Sequence, residues 1–315
     1  MMTEPTVQMA VIPEKQRKDM AASAAPANRE VFDDIYRVKQ YVKPEEMSYG
    51  VNPRDLSFEQ PWQVASRWCD ANAANRVFLG ETVDCNLDCS YCYRGENKET
   101  RNVTATEYVD AFFNHFLQCD HIDGSEEVGV LRVSGGEPML HQDWVAGVCQ
   151  SASRFSADRG TIAPYLWIDT NGTIHPTSNL CEKVCRQAVG VCLCFKPGVD
   201  GVTIAQQLEV ANDFVTCGAD VYFSYPSWDG ALTTAAGFIP EIVEGLRDIH
   251  SLLPLRMSVI EIKNYETNKS RPGFHESDKS LRTRYRERKR ALREICESLY
   301  EPELLWLPSH QVPIH

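Results

Sequence analysis

The chain carries three closely spaced cysteines in the stretch Cys85-Asn86-Leu87-Asp88-Cys89-Ser90-Tyr91-Cys92-Tyr93. Their spacing is Cys-x3-Cys-x2-Cys, and they directly follow a strand-like run at residues 76–82. Thiolates are soft ligands, and several on one loop typically hold zinc or an iron–sulfur centre. Structural zinc takes four protein ligands, yet no histidine lies in this loop. Three cysteines fit three corners of a [4Fe–4S] cluster, which leaves the fourth iron open to a ligand from outside the protein.

Two later stretches end strand-like runs in residues suited to ligand contact. The first runs through Val130 and Val133 and ends in Gly135-Gly136-Glu137. Glycine has no Cβ, so a ligand can approach its backbone closely. The second is an apolar run from Tyr165 that ends in Asp169-Thr170-Asn171-Gly172. Taken alone, each of these endings is also typical of an ordinary turn.

In this order, the three stretches resemble the signature motifs of the radical S-adenosylmethionine (SAM) superfamily. The resemblance implies that Cys85, Cys89 and Cys92 bind a [4Fe–4S] cluster whose open iron chelates SAM. It implies further SAM contacts from the aromatic residue before the third cysteine, from the Gly-Gly-Glu motif and from the end of the third strand. Those residues are Tyr91, Gly135, Gly136, Glu137, Asp169 and Asn171.

The resemblance also implies the chemistry and one partner. The reduced cluster donates one electron to the SAM sulfonium, and the resulting 5′-deoxyadenosyl radical abstracts a hydrogen atom from a substrate. Such a cluster receives its electron from a reductase or from a flavodoxin- or ferredoxin-type donor. Only Cys217 and Cys296 lie beyond residue 200, whereas the auxiliary-cluster extensions of the family are rich in cysteine. We therefore expect a stand-alone enzyme with a single cluster.

Strand-like and helix-like segments alternate through most of the chain, which predicts an α/β protein with a parallel sheet. Six such units match the partial (β/α)6 TIM-like barrel of the superfamily. We expect a disordered tail at residues 1–28, an N-terminal extension at 29–75 that contains a helix over 31–41, a core barrel at 76–265 and a C-terminal helical extension at 266–315.

Further candidate residues lie at the predicted carboxyl ends of later strands, where parallel sheets bind ligands. Lys196 directly follows the fourth strand. Cys192, Cys194 and Lys196 are spaced two residues apart, so all three are expected to face the same side of the sheet. We expect Lys196 to meet a carboxylate of SAM or of the substrate. The residues expected to face the substrate are Ser224, Tyr225, Glu261, Lys263 and Tyr265.

A second cluster on four other cysteines is an alternative that the sequence leaves open. Cys181 and Cys185 share one face of a predicted helix, and Cys192 and Cys194 share one side of a strand. No common loop brings the two pairs together, and cysteine is often buried for ordinary packing. We therefore favour a single cluster.

Composition limits the class of protein. The 315 residues are 43% hydrophobic and carry a net charge of −12, so a sizeable core can form and polyanions are repelled on average. No apolar run approaches the roughly 18 residues of a membrane span, and the N-terminus lacks a signal-peptide pattern. We expect a cytoplasmic protein without a membrane partner and disfavour nucleic acid. The oligomeric state stays open.

The substrate stays open as well. A small-molecule metabolite is favoured, because no peptide-recognition domain is visible. A maturase or activase acting on a peptide or protein is one alternative. RNA modification is another, supported by the basic run at residues 282–290, although a solvated helix face is the simpler interpretation. A non-catalytic iron–sulfur or zinc scaffold is the last alternative.

Overall fold

The computed structural model describes residues 4–11, 30–32, 36–40, 76–92, 99–118, 129–161, 163–228, 234–274 and 276–305, and residues 307, 309 and 312–314 near the C-terminus. The expectations for the remainder of residues 1–75 lie outside the described residues. Within the described part, no helix is long and apolar enough to cross a membrane.

In the described part of the chain, ten strands form one sheet. They are β1 (Thr6–Ala10), β2 (Glu30–Phe32), β3 (Tyr36–Gln40), β4 (Arg76–Thr82), β5 (Thr100–Thr104), β6 (Val130–Gly135), β7 (Tyr165–Thr170), β8 (Val189–Cys194), β9 (Asp220–Pro226) and β10 (Met257–Ile260). The main order is β10-β9-β8-β7-β6-β4-β1-β5, and β2 and β3 form a hairpin that pairs with β4. Strands β4, β6, β7, β8, β9 and β10 pair in parallel. The predicted α/β class with six parallel strands in chain order is confirmed.

Helices connect the parallel strands and extend the C-terminal part. They are α1 (Ala105–Gln118), α2 (Gln142–Arg159), α3 (Ser178–Val184), α4 (Ile204–Thr216), α5 (Ile239–Ile249), α6 (Glu266–Lys269), α7 (Asp278–Leu299) and α8 (Pro302–Leu305), and 3-10 turns lie at Pro138–His141 and Leu253–Arg256. Helix α1 begins with a capping box. Thr104 Oγ1 accepts from the Glu107 N–H at 3.1 Å, and the Glu107 carboxylate accepts from the Thr104 N–H at 2.8 Å. The N–H groups of Thr104 and Glu107 are thereby both satisfied.

The parallel strands are buried on both faces. Val191 and Leu193 of β8 point into the large core beneath the helices, together with Phe214 of α4 and Leu246 of α5. The opposite face, called the inner face below, carries the alternate residues and has its own small core. This arrangement follows from the two-residue period of a strand and explains why β8 reads as a nearly continuous apolar run.

Aromatic rings fill the inner face. Trp167 stacks on Tyr222 with ring centroids 5.2 Å apart. A Cβ at Gly190 would lie 2.3 Å from the Tyr165 hydroxyl, so this strand position must lack a side chain. At the amino ends of the strands, the buried Asp220 carboxylate pairs with Arg256 and accepts from Tyr165 at 3.0 Å. This end of the inner face is thus filled by protein.

Two expectations for the N-terminal part are wrong. Residues 6–10, expected within a disordered tail, form β1 and pair along their length with β5. Residues 30–32 and 36–40 form the paired strands β2 and β3, where a helix over 31–41 was expected. Both errors have one cause: β1 pairs with β5 and β3 pairs with β4, strands far along the chain that a local pattern does not reveal.

Candidate active site

The three-cysteine loop leaves the carboxyl end of β4. Cys85 is exposed, Cys92 is half-buried and Cys89 is buried, and none of the three forms a disulfide. The N–H of Cys92 donates to the Cys89 carbonyl at 3.0 Å, which folds the second half of the loop into a turn. Three free thiols thus lie on one short loop at the edge of the sheet where the parallel strands end.

The first half of the loop is tied to the Gly-Gly-Glu segment at the end of β6. The N–H of Gly136 donates to the Thr82 carbonyl at 2.8 Å, and that of Glu137 donates to the Asp84 carbonyl at 2.7 Å. Gly135 has φ +99°, and a Cβ there would lie 2.6 Å from the Thr82 carbonyl oxygen. Glycine is required because the backbones of two strands meet here.

Replacement of Gly135 by alanine is expected to lower the unfolding free energy by about 1–3 kcal/mol or more, since about 1–3 kcal/mol is the usual cost of a strained backbone residue. The same replacement is expected to lower iron loading. The new Cβ would collide with backbone atoms that cannot rotate away. The measurement is urea unfolding together with iron content after reconstitution. Gly160→Ala is the matched control, since its φ is +61° but its Cβ would meet nothing within 4 Å. Equal losses in both variants would contradict the collision.

The loop is also tied to the end of β7. Asn171 Nδ2 donates to Asn86 Oδ1 at 2.8 Å, and Asn86 Nδ2 donates to Thr173 Oγ1 at 2.8 Å. Asn86 lies next to Cys85, so these bonds fix the start of the cysteine stretch. The Asn171 side chain therefore acts on the loop through Asn86.

Glu137 joins the β6 and β7 ends from within. Its side chain is fully buried. One carboxylate oxygen accepts from the N–H of Met139 at 2.9 Å and from the Thr170 hydroxyl at 2.8 Å, and the other accepts from the N–H of Asn171 at 2.6 Å. Both oxygens are occupied by protein donors. The geometry gives this side chain a positioning role, and a direct contact between Glu137 and SAM stays a prediction.

The ionisation of Glu137 should appear in the pH dependence of stability. Burial raises the pKa of this carboxyl from 4.5 to about 6, although its hydrogen bonds oppose the shift. A carboxyl with a raised folded-state pKa binds its proton more tightly when folded, so the unfolding free energy falls as pH rises from 4.5 to above 6. The expected fall is about 2 kcal/mol.

Urea unfolding of the wild type and of Glu137→Gln across this range checks that expectation. The variant cannot titrate at this position, so the stability difference between wild type and variant should shrink by about 2 kcal/mol as pH rises. A constant difference between the two proteins would show that Glu137 does not titrate as described.

Asp169 on the inner face is held by two partners. Its carboxylate accepts from Arg132 Nε at 2.8 Å and from Trp167 Nε1 at 2.7 Å. Arg132 and Asp169 each keep about a fifth of their side-chain surface exposed, 20% in both cases. The pair forms a polar patch between the aromatic core and the strand ends. Contact of Asp169 with SAM also stays a prediction.

Lys196 faces the cysteine loop from the end of β8. Its Nζ lies 3.3 Å from Cys194 Sγ and 5.7 Å from the centroid of the Tyr91 ring. Burial lowers the pKa of this amine, but Cys194, Tyr91 and Cys89 nearby outweigh burial and raise it. Burial raises the pKa of the Cys89 thiol, and Lys196 partly offsets that rise. We expected Lys196 to face the same side as Cys194, and the contact between the two side chains agrees with that expectation.

A cap covers the buried part of the loop. Cys89 and Tyr91 pack with Trp228, Phe274 and Leu281. Trp228 Nε1 donates to Ser90 Oγ at 3.2 Å. This apolar cluster, called the cap below, shields the loop on the side of β9 and α7.

Polar contacts reinforce the cap. Asn268 Nδ2 donates to the Tyr91 carbonyl at 3.4 Å, and Arg271 pairs with Asp88 at 2.6 Å. The sequence pattern gave no sign of Asn268, Arg271 or Phe274, because they lie some 180 residues from the loop and match no motif spacing.

The side chains of the loop are of the type that binds an iron–sulfur cluster. Three free cysteines occupy the loop, and thiolate is the ligand that such clusters prefer. Among the described residues, no three His, Cys, Asp or Glu side chains lie close enough together to share a metal ion. The loop after β4 thus supplies three thiol ligands. To hold a cluster, the three side chains must turn toward one point.

The residues expected to face the substrate divide into two groups. Ser224 lies on the inner face, buried, and pairs in register with Cys194 and Ser258. Glu261 is half-buried 3.9 Å from Arg282, and Lys263 and Tyr265 are exposed. The expectation for Tyr225 is wrong: it points into the core beneath the helices, where its hydroxyl accepts from the Phe238 N–H at 3.3 Å. Its neighbour Ser224 takes the inner face, as strand alternation requires.

The hypothesis of a second cluster on four further cysteines is wrong. Cys181 of α3 forms a disulfide with Cys217 at the end of α4, and Cys185 is exposed nearby. Cys192 belongs to the small core of the inner face. The two pairs therefore lie on opposite sides of the sheet.

Comparison with known proteins agrees with the fold described above. No family model matches the chain. A solved structure described as hexahistidine-tagged anSMEcpe with bound AdoMet, that is SAM, matches with a TM-score of 0.50 at 14% identity, over 68% of this chain and 55% of that one. The chain shares the fold of that SAM-bound structure. The resemblance seen in the sequence is confirmed at the level of the fold.

Two further proteins are similar to parts of the chain. The probable dual-specificity RNA methyltransferase RlmN of Endomicrobium trichonymphae is 28% identical over 81 residues, which are 26% of this chain and 22% of that protein. Streptococcus suis SuiB bound to SAM matches at 13% identity with a TM-score of 0.45, over 64% of this chain and 43% of that one. The chain thus spans about half of the first solved structure and about a fifth of RlmN. None of these comparisons supports a small-molecule substrate over another class.

Proposed function

We propose that the chain is a radical SAM enzyme that holds a [4Fe–4S] cluster on Cys85, Cys89 and Cys92. The observation that carries the proposal is the three-thiol loop, tied on one side to the Gly-Gly-Glu segment and on the other to Asn171. When bound, the cluster supplies one electron to the sulfonium of SAM, which yields methionine and a 5′-deoxyadenosyl radical.

The residues of the chain serve this chemistry by placement and exclusion. Gly135 lets the β6 end approach the loop, and Glu137 locks the β6 and β7 ends together. Lys196 brings a positive charge to the space beside Tyr91, suited to the carboxylate of SAM or of the substrate. Trp228 and Phe274 keep water from one side of the loop. A reactive alkyl radical needs such a dry, shaped site.

We propose that the substrate enters at the carboxyl ends of β8 and β9, near Lys196 and Ser224. The Lys196 amine and the small Ser224 hydroxyl suit a small polar metabolite, which remains the proposed substrate class. RNA modification is the second candidate, supported by the 28% identity to an RNA methyltransferase over 81 residues. A peptide or protein substrate stays an alternative, and a cytoplasmic location stays a prediction.

Anaerobic reconstitution tests the proposal. The chain is loaded with iron and sulfide, reduced with dithionite and supplied with SAM, and 5′-deoxyadenosine is measured by mass spectrometry. We expect about four irons per chain and release of 5′-deoxyadenosine. A single zinc per chain without SAM cleavage would support the scaffold alternative instead.

A further inference from the structure

Helix α7 carries a line of exposed arginines. The buried side of α7 consists of Leu281, Arg288, Leu292 and Cys296. Exposed positions on the helix include Arg282, Arg286, Arg290 and Arg293. These four follow one another at i, i+4, i+8 and i+11, so they form one stripe about 16 Å long. They are called the arginine stripe below.

Other arginines of the same helix serve the fold. Arg284 pairs with Glu276 at 3.0 Å and lies over the Trp228 ring at 4.8 Å. Arg288 is buried and donates to the Thr234 carbonyl. The four stripe arginines are exposed instead, although Arg282 also lies 3.9 Å from Glu261. They repeat like charges at i, i+4, which destabilises a helix. A chain of net charge −12 has no need of such a line for solubility.

The stripe begins beside the cysteine loop. Leu281, the residue before Arg282, packs in the cap with Cys89 and Tyr91. Arg284 covers Trp228, which in turn donates to Ser90 within the loop. Helix α7 also packs on β10, the strand at one edge of the sheet. A protein seated on the stripe would therefore lie next to the covered side of the loop.

We propose that the arginine stripe docks an acidic electron-transfer protein of the flavodoxin or ferredoxin kind. The inference rests on the proposed function, which requires one electron from outside the chain. The donor is oxidised by one electron and the cluster is reduced by one, with no transfer of atoms. A positive stripe on an acidic chain both attracts and orients a compact acidic partner. An extended nucleic acid would meet the repulsion of the remaining surface, so the charge balance favours a protein.

The experiment compares two double charge reversals with the wild type. Arg286→Glu with Arg290→Glu changes the stripe. Arg101→Glu with Arg186→Glu is the control: it makes the same change in net charge at exposed sites on β5, at the opposite edge of the sheet, and after α3. The probes are a flavodoxin and a ferredoxin, each immobilised for biolayer interferometry at low and at physiological salt.

The readout is binding, which needs no loaded cluster. At least one probe should bind the wild type and the control equally and more weakly as salt rises, whereas the stripe variant should bind at least about tenfold more weakly. Equal binding of stripe variant and control, or no binding of either probe to the wild type, would overturn the proposal. It would also be overturned if the stripe variant lost binding of a single-stranded RNA and kept that of the proteins.

A second readout separates this proposal from the proposed function. Dithionite reduces without docking, so SAM cleavage with dithionite should be the same in all three proteins. Cleavage driven by flavodoxin with NADPH and its reductase should fall at least about tenfold in the stripe variant alone. If dithionite fails in the wild type, the proposed function fails, and the binding measurement still decides the role of the stripe.

Discussion

Replacement of Cys89 by alanine is expected to abolish cluster binding and SAM cleavage while leaving a folded, colourless protein. Cys89 is the middle cysteine of the loop and the one that the cap buries. Its loss leaves two thiols, too few to hold three corners of a cube. The new methyl group fits within the apolar surroundings of Trp228 and Phe274. Iron content, visible absorbance and 5′-deoxyadenosine release measure the effect, and circular dichroism checks the fold.

Cys185→Ala is the matched control for Cys89→Ala. Cys185 is an exposed free cysteine beside α3, on the helix-covered side of the sheet. Its removal should leave iron content and SAM cleavage unchanged. If Cys89→Ala kept the brown chromophore and activity, the loop would not be the cluster site. If both variants lost them, the effect would belong to cysteine loss in general.

Replacement of Asp220 by alanine is expected to cost about 3–5 kcal/mol of unfolding free energy, since it leaves a buried arginine without its carboxylate. Asp220 and Arg256 are both fully buried and paired. The hydroxyls of Tyr165 and Tyr222 also donate to Asp220, at 3.0 and 2.7 Å. Urea unfolding measures the loss.

Asp110→Ala controls for removal of a paired carboxylate at the surface. Asp110 lies 3.5 Å from Arg159 with 45% of its side chain exposed, so its loss should cost no more than about 1 kcal/mol. A loss at Asp220 no larger than at Asp110 would contradict the role assigned to the buried pair. Iron loading per folded Asp220→Ala molecule should be unchanged, because Asp220 lies at the amino end of β9, away from the loop.

The sequence predicts the parallel core well for a physical reason. Strands such as β7 and β8 are covered on both faces, so each reads as an apolar run that local inspection finds. Strand β1 and the β2–β3 hairpin escape this inspection. In β1 only alternate residues such as Val7 and Met9 are buried along most of its length, and its partner β5 lies some 90 residues away. A five-residue alternation is too short to separate a strand from a tail.

In the candidate site, the sequence predicts the positions of the residues but not their hydrogen-bond partners. Glu137, Asp169 and Asn171 stand at the strand ends where the motifs suggest, but each side chain is engaged by protein partners. A motif gives the position of a residue on the fold, whereas the direction of its polar atoms depends on neighbours from other strands. The cap depends wholly on such neighbours, because Asn268 and Phe274 reach the loop from the C-terminal part of the chain.

Electron paramagnetic resonance of the reduced, iron-loaded chain, with and without isotopically labelled SAM, tests directly whether the three-cysteine loop holds a SAM-binding cluster. A cluster held by Cys85, Cys89 and Cys92 has one iron without a protein ligand. Addition of SAM should therefore change the spectrum, and the labelled amino nitrogen or carboxylate oxygen should show a hyperfine coupling to the cluster. A spectrum that SAM leaves unchanged, in material with about four irons per chain, would contradict that expectation.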